Sequence, residues 1–229
     1  MKPHGSARKW AVKTAVYVVL LALLLTLVSG STDWTAAWAY LAFLTGIMAV
    51  SGILLARVSP GLLAERSQLQ PGTKPWDKLL APLVGLAGPL AIYITAALDF
   101  RHRWSAPQPL WLTVAAFTVA ALAALATTWA MAANRFFSTT VRIQADRGHR
   151  VVDAGPYRFV RHPGYASVIL FDLTMPLALG SYWALIPGAA TCALLVVRTA
   201  LEDGTLRVEL DGYADYADRV RYRLAPGIW

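Results

Sequence analysis

Residues 11–30, AVKTAVYVVLLALLLTLVSG, form an almost unbroken apolar stretch that contains one charged residue, Lys13. About 20 apolar residues is the length that an α-helix needs to cross the roughly 30 Å hydrocarbon core of a bilayer. A helix also satisfies its own backbone hydrogen bonds, which lipid cannot do for it. The stretch therefore predicts a transmembrane helix. Its basic start also allows a cleaved signal peptide, although no A-x-A site closes it.

The composition of the whole chain indicates more than one such helix. Of its 229 residues, 57% are hydrophobic and 15% are charged, whereas an ordinary soluble domain is roughly 45–50% apolar. Three further apolar stretches, 34–56, 79–98 and 110–133, each have the length of one span. A fifth, 165–200, is too long for one span, and Gly180-Ser181 near its middle predicts a helical hairpin. Each arm would have about 17 residues and a length of about 26 Å.

The basic residues are distributed unevenly between the two sides of this arrangement. With six segments, 19 of the 21 lysines and arginines fall on the side of the two termini and the two long loops, and the opposite side receives only Arg101 and Arg103. By the positive-inside rule, both termini and the long loops are predicted to be cytoplasmic. The net charge of +8 is then explained by membrane orientation and contact with membrane lipid, and no nucleic-acid partner is predicted.

The loop 134–165, NRFFSTTVRIQADRGHRVVDAGPYRFVRHPGY, is longer than a connection between spans requires. Gly155-Pro156 predicts a turn that starts a short helix, because proline is tolerated at the first helical position. His162 precedes Pro163, which favours a non-helical backbone where the chain re-enters the membrane. Backbone N–H and C=O groups exposed there are available to a polar ligand.

The C-terminal tail carries a second unusual pattern. Arg198 and Glu202 lie four residues apart at the end of the last apolar stretch and share a helix face. Taken alone, the pair is compatible with an interfacial salt bridge as well as with a ligand site. Tyr213, Tyr216 and Arg219 repeat at three-residue spacing and predict one stripe of a short helix.

At these segments the sequence resembles the isoprenylcysteine carboxyl methyltransferase family, which is related to the phospholipid N-methyltransferases. The resemblance rests on GHRVVDAGPYRFVRHPGY (148–165), RTALED (198–203) and GYADYADRVRYRLAPGIW (212–229), with weaker support from SPGLLAERSQLQPGTKPWDK (59–78). It implies S-adenosylmethionine as cofactor and a lipophilic methyl acceptor, most simply the carboxylate of an isoprenylated cysteine. Phospholipid amines and small thiols remain open as acceptors, and no obligatory protein partner is indicated.

The resemblance also implies roles for individual residues. The cofactor-binding residues would be Gln144, His149, Arg150, Val151, Val152, Tyr157, His162, Pro163, Gly164, Tyr165 and Glu202. Arg198 and Glu202 match an arginine and a glutamate of the family that face the acceptor and the cofactor. The resemblance therefore makes both candidate catalytic residues, and Arg198 the substrate-binding residue. The sequence leaves open whether Glu202 binds the cofactor ammonium or takes a proton from the acceptor.

Other chemistries lack their usual patterns. The sequence has no HExxH, GxSxG, P-loop or GxGxxG motif, and its single cysteine, Cys192, excludes an internal disulfide and a multi-cysteine metal site. A membrane sterol or lipid reductase and a non-catalytic membrane scaffold remain as alternatives. No metal is predicted.

The predicted fold is an all-α polytopic membrane bundle in which four spans are followed by a motif loop, a short helical hairpin and a cytoplasmic C-terminal helix. We expect one domain over residues 1–229, in which 1–133 form a four-span part and 134–229 bind cofactor and acceptor. The expected location is a bacterial inner membrane.

Overall fold

The computed structural model describes residues 3–59, 62 and 72–229, with side chains from Trp10 onward. These residues are helical or irregular, without a β-strand. The α-helices are α1 (Pro3–Ser29), α2 (Thr35–Val58), α3 (Asp77–His102), α4 (Leu110–Ala133), α5 (Pro163–Ala178), α6 (Leu185–Glu209) and α7 (Tyr213–Arg219). Most of the segment 59–78, including Arg66, lies outside the described residues, as does Lys2.

Five of these helices are long and apolar enough to cross a membrane: α1 from Trp10, α2, α3, α4 and α6. The predicted polytopic helical membrane bundle is therefore confirmed. Helix α5 has 16 residues, which corresponds to about 24 Å, and it packs along α4 and α6. It forms a short arm supported by its neighbours.

The predicted hairpin turns at Gly180, whose φ of +80° suits a residue without a side chain. The buried Ser181 hydroxyl donates a hydrogen bond to Asp99 Oδ2 at 2.5 Å, which ties the turn to the end of α3. The two arms are less equal than predicted. Helix α6 has 25 residues because it continues through its polar C-terminal turns to Glu209.

Helix α3 contains a π-helical segment, Leu83–Ala87, in which the Gly88 N–H donates to the C=O of Leu83, five residues back. The sequence explains it, because Pro82 and Pro89 have no N–H to donate. The C=O of Gly85 thus lacks its α-helical partner at position 89. A local shift of the hydrogen-bond register supplies other partners for such carbonyls, and π segments of this kind are frequent at functional sites.

Close packing of α3 against α6 depends on Gly88, where an added Cβ atom would lie 2.6 Å from Thr191 Cγ2. We expect Gly88→Ala to lower the free energy of unfolding by about 1–3 kcal/mol, the usual cost of overpacking. Thermal unfolding in detergent measures the effect. The control is Gly46→Ala in α2, where an added Cβ would meet nothing within 4 Å. Equal unfolding midpoints for the two variants would contradict this packing.

Candidate active site

A pocket lies between the loop 134–162 and the polar ends of α5, α6 and α7; we call it the loop pocket. Ten of the eleven sequence-predicted cofactor residues line it: Gln144, His149, Arg150, Val151, Val152, Tyr157, His162, Gly164, Tyr165 and Glu202. The eleventh, Pro163, is buried at the first position of α5. Residues from two separate parts of the sequence, 144–165 and the C-terminal half of α6, therefore converge on one pocket.

The loop holds its shape through buried polar anchors. Gln144 is 1% exposed, its Nε2 donates to the C=O of Phe136 at 2.6 Å, and its Oε1 accepts from Arg147. Both the nitrogen and the oxygen of the Gln144 amide are thus hydrogen-bonded within the loop. On the other wall, the Tyr216 hydroxyl donates to the C=O of Tyr157 at 2.7 Å and fixes α7 against the loop.

The predicted turn at Gly155-Pro156 and the predicted non-helical backbone at His162 are both present. Residues Gly155–Arg158 form a 3-10 helix with Pro156 in its first turn, and Gly155 has a φ of +60°. His162 has non-helical angles, φ −125° and ψ 61°, directly before α5 begins. The Arg161 and His162 N–H groups donate to the C=O groups of Tyr222 and Arg223, both at 2.9 Å. The C-terminal segment therefore holds the re-entry point in place.

Glu202 and Tyr165 line the loop pocket next to each other. The Tyr165 hydroxyl donates to Glu202 Oε2 at 2.5 Å, and the Arg198 guanidinium lies 5.3 Å from the centre of the Tyr165 ring. Arg198 and Glu202 thus contact the same tyrosine from two sides. They make no salt bridge with each other, so the interfacial pair that the sequence left open is not formed.

A second cavity of about 850 Å³ begins on the other side of Tyr165; we call it the helix cavity. It lies between α3, α4, α5 and α6, and it shares five lining residues with the loop pocket: Phe137, Ser138, Thr140, Gly164 and Tyr165. Its volume is within the range of small-molecule sites. The two cavities are therefore neighbours with a common wall.

Arg198 lines the helix cavity and is held there by Asp77 of α3, which is completely buried. Arg198 Nε and Nη2 donate to the two Asp77 oxygens at 2.7 and 3.1 Å, and Nη2 also donates to the C=O of Thr139 at 2.9 Å. Asp77 Oδ2 accepts in addition from the Val141 N–H at 2.6 Å. Arg198 Nη1 has no hydrogen-bond partner among the described residues.

Asp203, the neighbour of Glu202, is also completely buried and lies in an ion-pair cluster. Its carboxylate accepts from Arg161 Nε (2.7 Å) and Nη2 (3.0 Å), Arg223 Nε (2.9 Å) and the Tyr213 hydroxyl (2.9 Å), and His162 Nε2 lies 3.3 Å away. Arg161 Nη1 donates onward to the C=O groups of Ala217, Val220 and Arg221. This cluster joins α6, the start of α5 and the C-terminal segment.

A family profile for the isoprenylcysteine carboxyl methyltransferase family matches residues 114–208. The matched range contains the whole motif loop and RTALED, which confirms the resemblance seen in the sequence. It does not include the segments 59–78 and 212–229.

The fold is similar to a solved structure of the eukaryotic intramembrane Ras methyltransferase, isoprenylcysteine carboxyl methyltransferase. The two chains are 18% identical, the alignment covers 94% of this chain and 75% of the other, and the TM-score is 0.56. At this identity the likeness is one of fold. A comparison with curated protein sequences finds no match.

Two residues that hold the site together were not predicted from the sequence. Asp77 and Asp203 both lie inside segments that carry the resemblance, WDK and RTALED. Their positions could have indicated a structural role. Each is an acid beside a long apolar span, where an unpaired carboxylate is costly, so a partner was to be expected. Asp77 lies 121 residues from its partner Arg198, and Asp203 lies 42 residues from its partner Arg161. Pairs this far apart leave no pattern in the sequence.

His149 is held neutral by its surroundings. Its Nδ1 accepts a hydrogen bond from the Gln144 N–H at 3.3 Å, which assigns the proton to Nε2. Burial, together with the positive charges of Arg142 and Arg147, lowers the pKa of His149 from 6.5 to about 4. The imidazole therefore enters the loop pocket as an uncharged N–H donor near neutral pH.

This lowered pKa predicts a pH dependence of stability. Between pH 6.5 and about 4, the unfolded chain binds a proton at His149 that the folded chain does not, so the free energy of unfolding falls as the pH falls. Above pH 6.5 His149 is neutral in both states and contributes nothing. Thermal unfolding measured across this window should show a shallower pH dependence in His149→Phe than in the wild type. Equal slopes would contradict the assignment.

Proposed function

We propose that this protein is an S-adenosylmethionine-dependent membrane methyltransferase that methylates the carboxylate of an isoprenylated cysteine or a similar lipid. The observation that carries the proposal is the common wall of the two cavities. One cavity collects ten of the predicted cofactor residues, and the other combines cationic and apolar side chains. Donor and acceptor placed in them would meet at Tyr165 and Gly164.

The loop pocket fits the chemical groups of S-adenosylmethionine. Arg150 and the backbone N–H groups of 150–152 suit the carboxylate of the cofactor, and the Glu202 carboxylate suits its ammonium group. Aromatic faces such as Tyr165 suit the sulfonium centre. When bound, the cofactor supplies an electrophilic methyl group. The residues of the pocket bind and orient it, and Tyr165 fixes the Glu202 carboxylate through its hydroxyl.

The helix cavity fits an anionic head with an apolar tail. Arg198 is oriented by Asp77, and its Nη1, which has no hydrogen-bond partner in the part of the chain that the structure describes, is available to an acceptor carboxylate. Lys78, which also lines the cavity, is exposed and has no partner among the described residues. A carboxylate acceptor loses its charge on methylation, so no general base is required. Alignment and exclusion of water are then the main contributions of the protein.

The proposal extends to the placement of the protein in the membrane. We propose that the loop pocket opens to the cytoplasm, that both termini are cytoplasmic, and that the chain resides in a bacterial inner membrane. The concentration of basic residues on the loop side supports this orientation. We also propose one functional domain. Its site draws on both parts of the chain, because Asp77 and Lys78 of the four-span part line the helix cavity.

The decisive experiment is transfer of a labelled methyl group from S-adenosylmethionine by the purified protein into a panel of acceptors. The panel contains S-farnesylcysteine derivatives, phospholipid amines and small thiols, and mass spectrometry identifies the product. We expect a methyl ester of the prenyl-cysteine. A labelled phospholipid or thioether would replace the acceptor assignment. Absence of S-adenosylmethionine binding by calorimetry would overturn the proposal, and NADPH consumption would favour a reductase.

A further inference from the structure

The lining of the helix cavity changes along its length from polar to apolar. At one end lie the charged side chains of Asp77, Lys78 and Arg198. At the other end lie small or apolar residues from α3, α4, α5 and α6: Val84, Gly85, Thr127, Val168 and Leu195. Gly85 follows Asp77 by eight residues along α3, a distance of about 10–12 Å. The cavity therefore extends from the charged end into the apolar part of the bundle.

Gly85 marks the place where this apolar end reaches the outside of the bundle. It lies inside the π-helical segment Leu83–Ala87, lines the cavity and is also exposed on the surface of a membrane-spanning helix. An added Cβ atom would meet nothing within 4 Å. The neighbouring Leu86 is 59% exposed. A larger side chain at position 85 would therefore fill space without displacing the backbone.

Resting on the proposed function, we infer that the π-helical turn around Gly85 is the passage for the hydrocarbon tail of the acceptor, and that Gly85 determines the tail length that is accepted. The head of the acceptor is held by the cationic end near Arg198. The tail then runs along Val84, Val168 and Leu195 and leaves toward the bilayer past Gly85. An acceptor with a short S-alkyl group does not reach this point.

The test compares Gly85→Phe with Gly46→Phe. Gly46 is a second exposed glycine of a membrane-spanning helix, it lines no described cavity, and an added Cβ there also meets nothing within 4 Å. Binding of a photoreactive S-farnesylcysteine probe is measured by crosslinking without S-adenosylmethionine, so the result does not depend on turnover. Gly85→Phe should weaken binding at least about tenfold, since excluding two methylene groups from an apolar cavity has an effect of that order. Gly46→Phe should bind like the wild type.

A matched S-butylcysteine probe completes the design, because its binding should change less than about twofold in Gly85→Phe. Gly85→Leu should give an intermediate loss of the farnesyl probe, which excludes a folding defect particular to phenylalanine. Unchanged farnesyl binding in Gly85→Phe, equal loss of both probes, or no farnesyl binding by the wild type would each overturn the inference. Farnesyl binding by a wild type that transfers no methyl group would overturn the proposed function and leave the tail passage standing.

Discussion

Replacing Glu202 by glutamine is expected to weaken S-adenosylmethionine binding by about 10- to 100-fold, because a hydrogen bond to a charged group contributes about 1.5–3 kcal/mol. Glutamine keeps the shape of Glu202 and can still accept the hydrogen bond from the Tyr165 hydroxyl. It removes the negative charge that we propose binds the cofactor ammonium. Methyl transfer should fall at least as far as binding does, while the protein still folds.

Calorimetry with S-adenosylmethionine and the labelled-methyl assay measure the two effects separately. The matched control is Glu209→Gln on the same helix, whose carboxylate pairs with Lys74 at 2.6 Å outside both cavities. It should leave cofactor affinity unchanged. If Glu202→Gln binds the cofactor normally but loses turnover only for an amine or thiol acceptor, Glu202 acts as a base and the ammonium assignment is wrong.

Much of the fold was predictable because lipid imposes a simple length rule on the sequence. Each apolar stretch of about 20 residues became a helix, and Gly180 supplied the turn between two helices because its positive φ is suited to glycine. The grouping of His149, Tyr157 and Tyr165 in one pocket was also foreseeable. It follows from the family resemblance, which assigns these residues to one cofactor site.

The parts that were not predicted depend on partners far apart in the sequence. The sequence showed Arg198 and Glu202 on one helix face, but the structure pairs Arg198 with Asp77, 121 residues away, and Glu202 with Tyr165. Helical spacing describes neighbours on one helix only. Gln144 illustrates the same limit, because its amide is used by Phe136 and Arg147 within the loop. Only tertiary structure shows which polar groups are already satisfied.

Replacing Asp203 should lower stability, whereas replacing its neighbour Glu202 should lower cofactor affinity, because Asp203 stabilises the fold around the site. Its carboxylate is fully buried and pairs with Arg161 and Arg223. Removing one partner of a buried ion pair leaves an uncompensated charge and costs about 3–5 kcal/mol, a large part of the total stability of a typical protein. Asp203→Ala is therefore expected to lower the unfolding midpoint strongly or to prevent folding.

Thermal unfolding in detergent and limited proteolysis of the C-terminal segment measure this effect. Proteolysis should cut first near residues 220–229, because Arg161 holds the C=O groups of Val220 and Arg221 only while Asp203 orients its guanidinium. Asp211→Ala, which removes an exposed acid next to α7, is the control and should leave both measurements unchanged. A stable Asp203→Ala protein with an intact C-terminal segment would show that the Asp203 cluster does not support the site. The Asp203 carboxylate also lies 3.3 Å from His162 Nε2 and positions that side chain in the loop pocket. If the Asp203 cluster does not support the site, Asp203→Ala should therefore bind S-adenosylmethionine as tightly as the wild type.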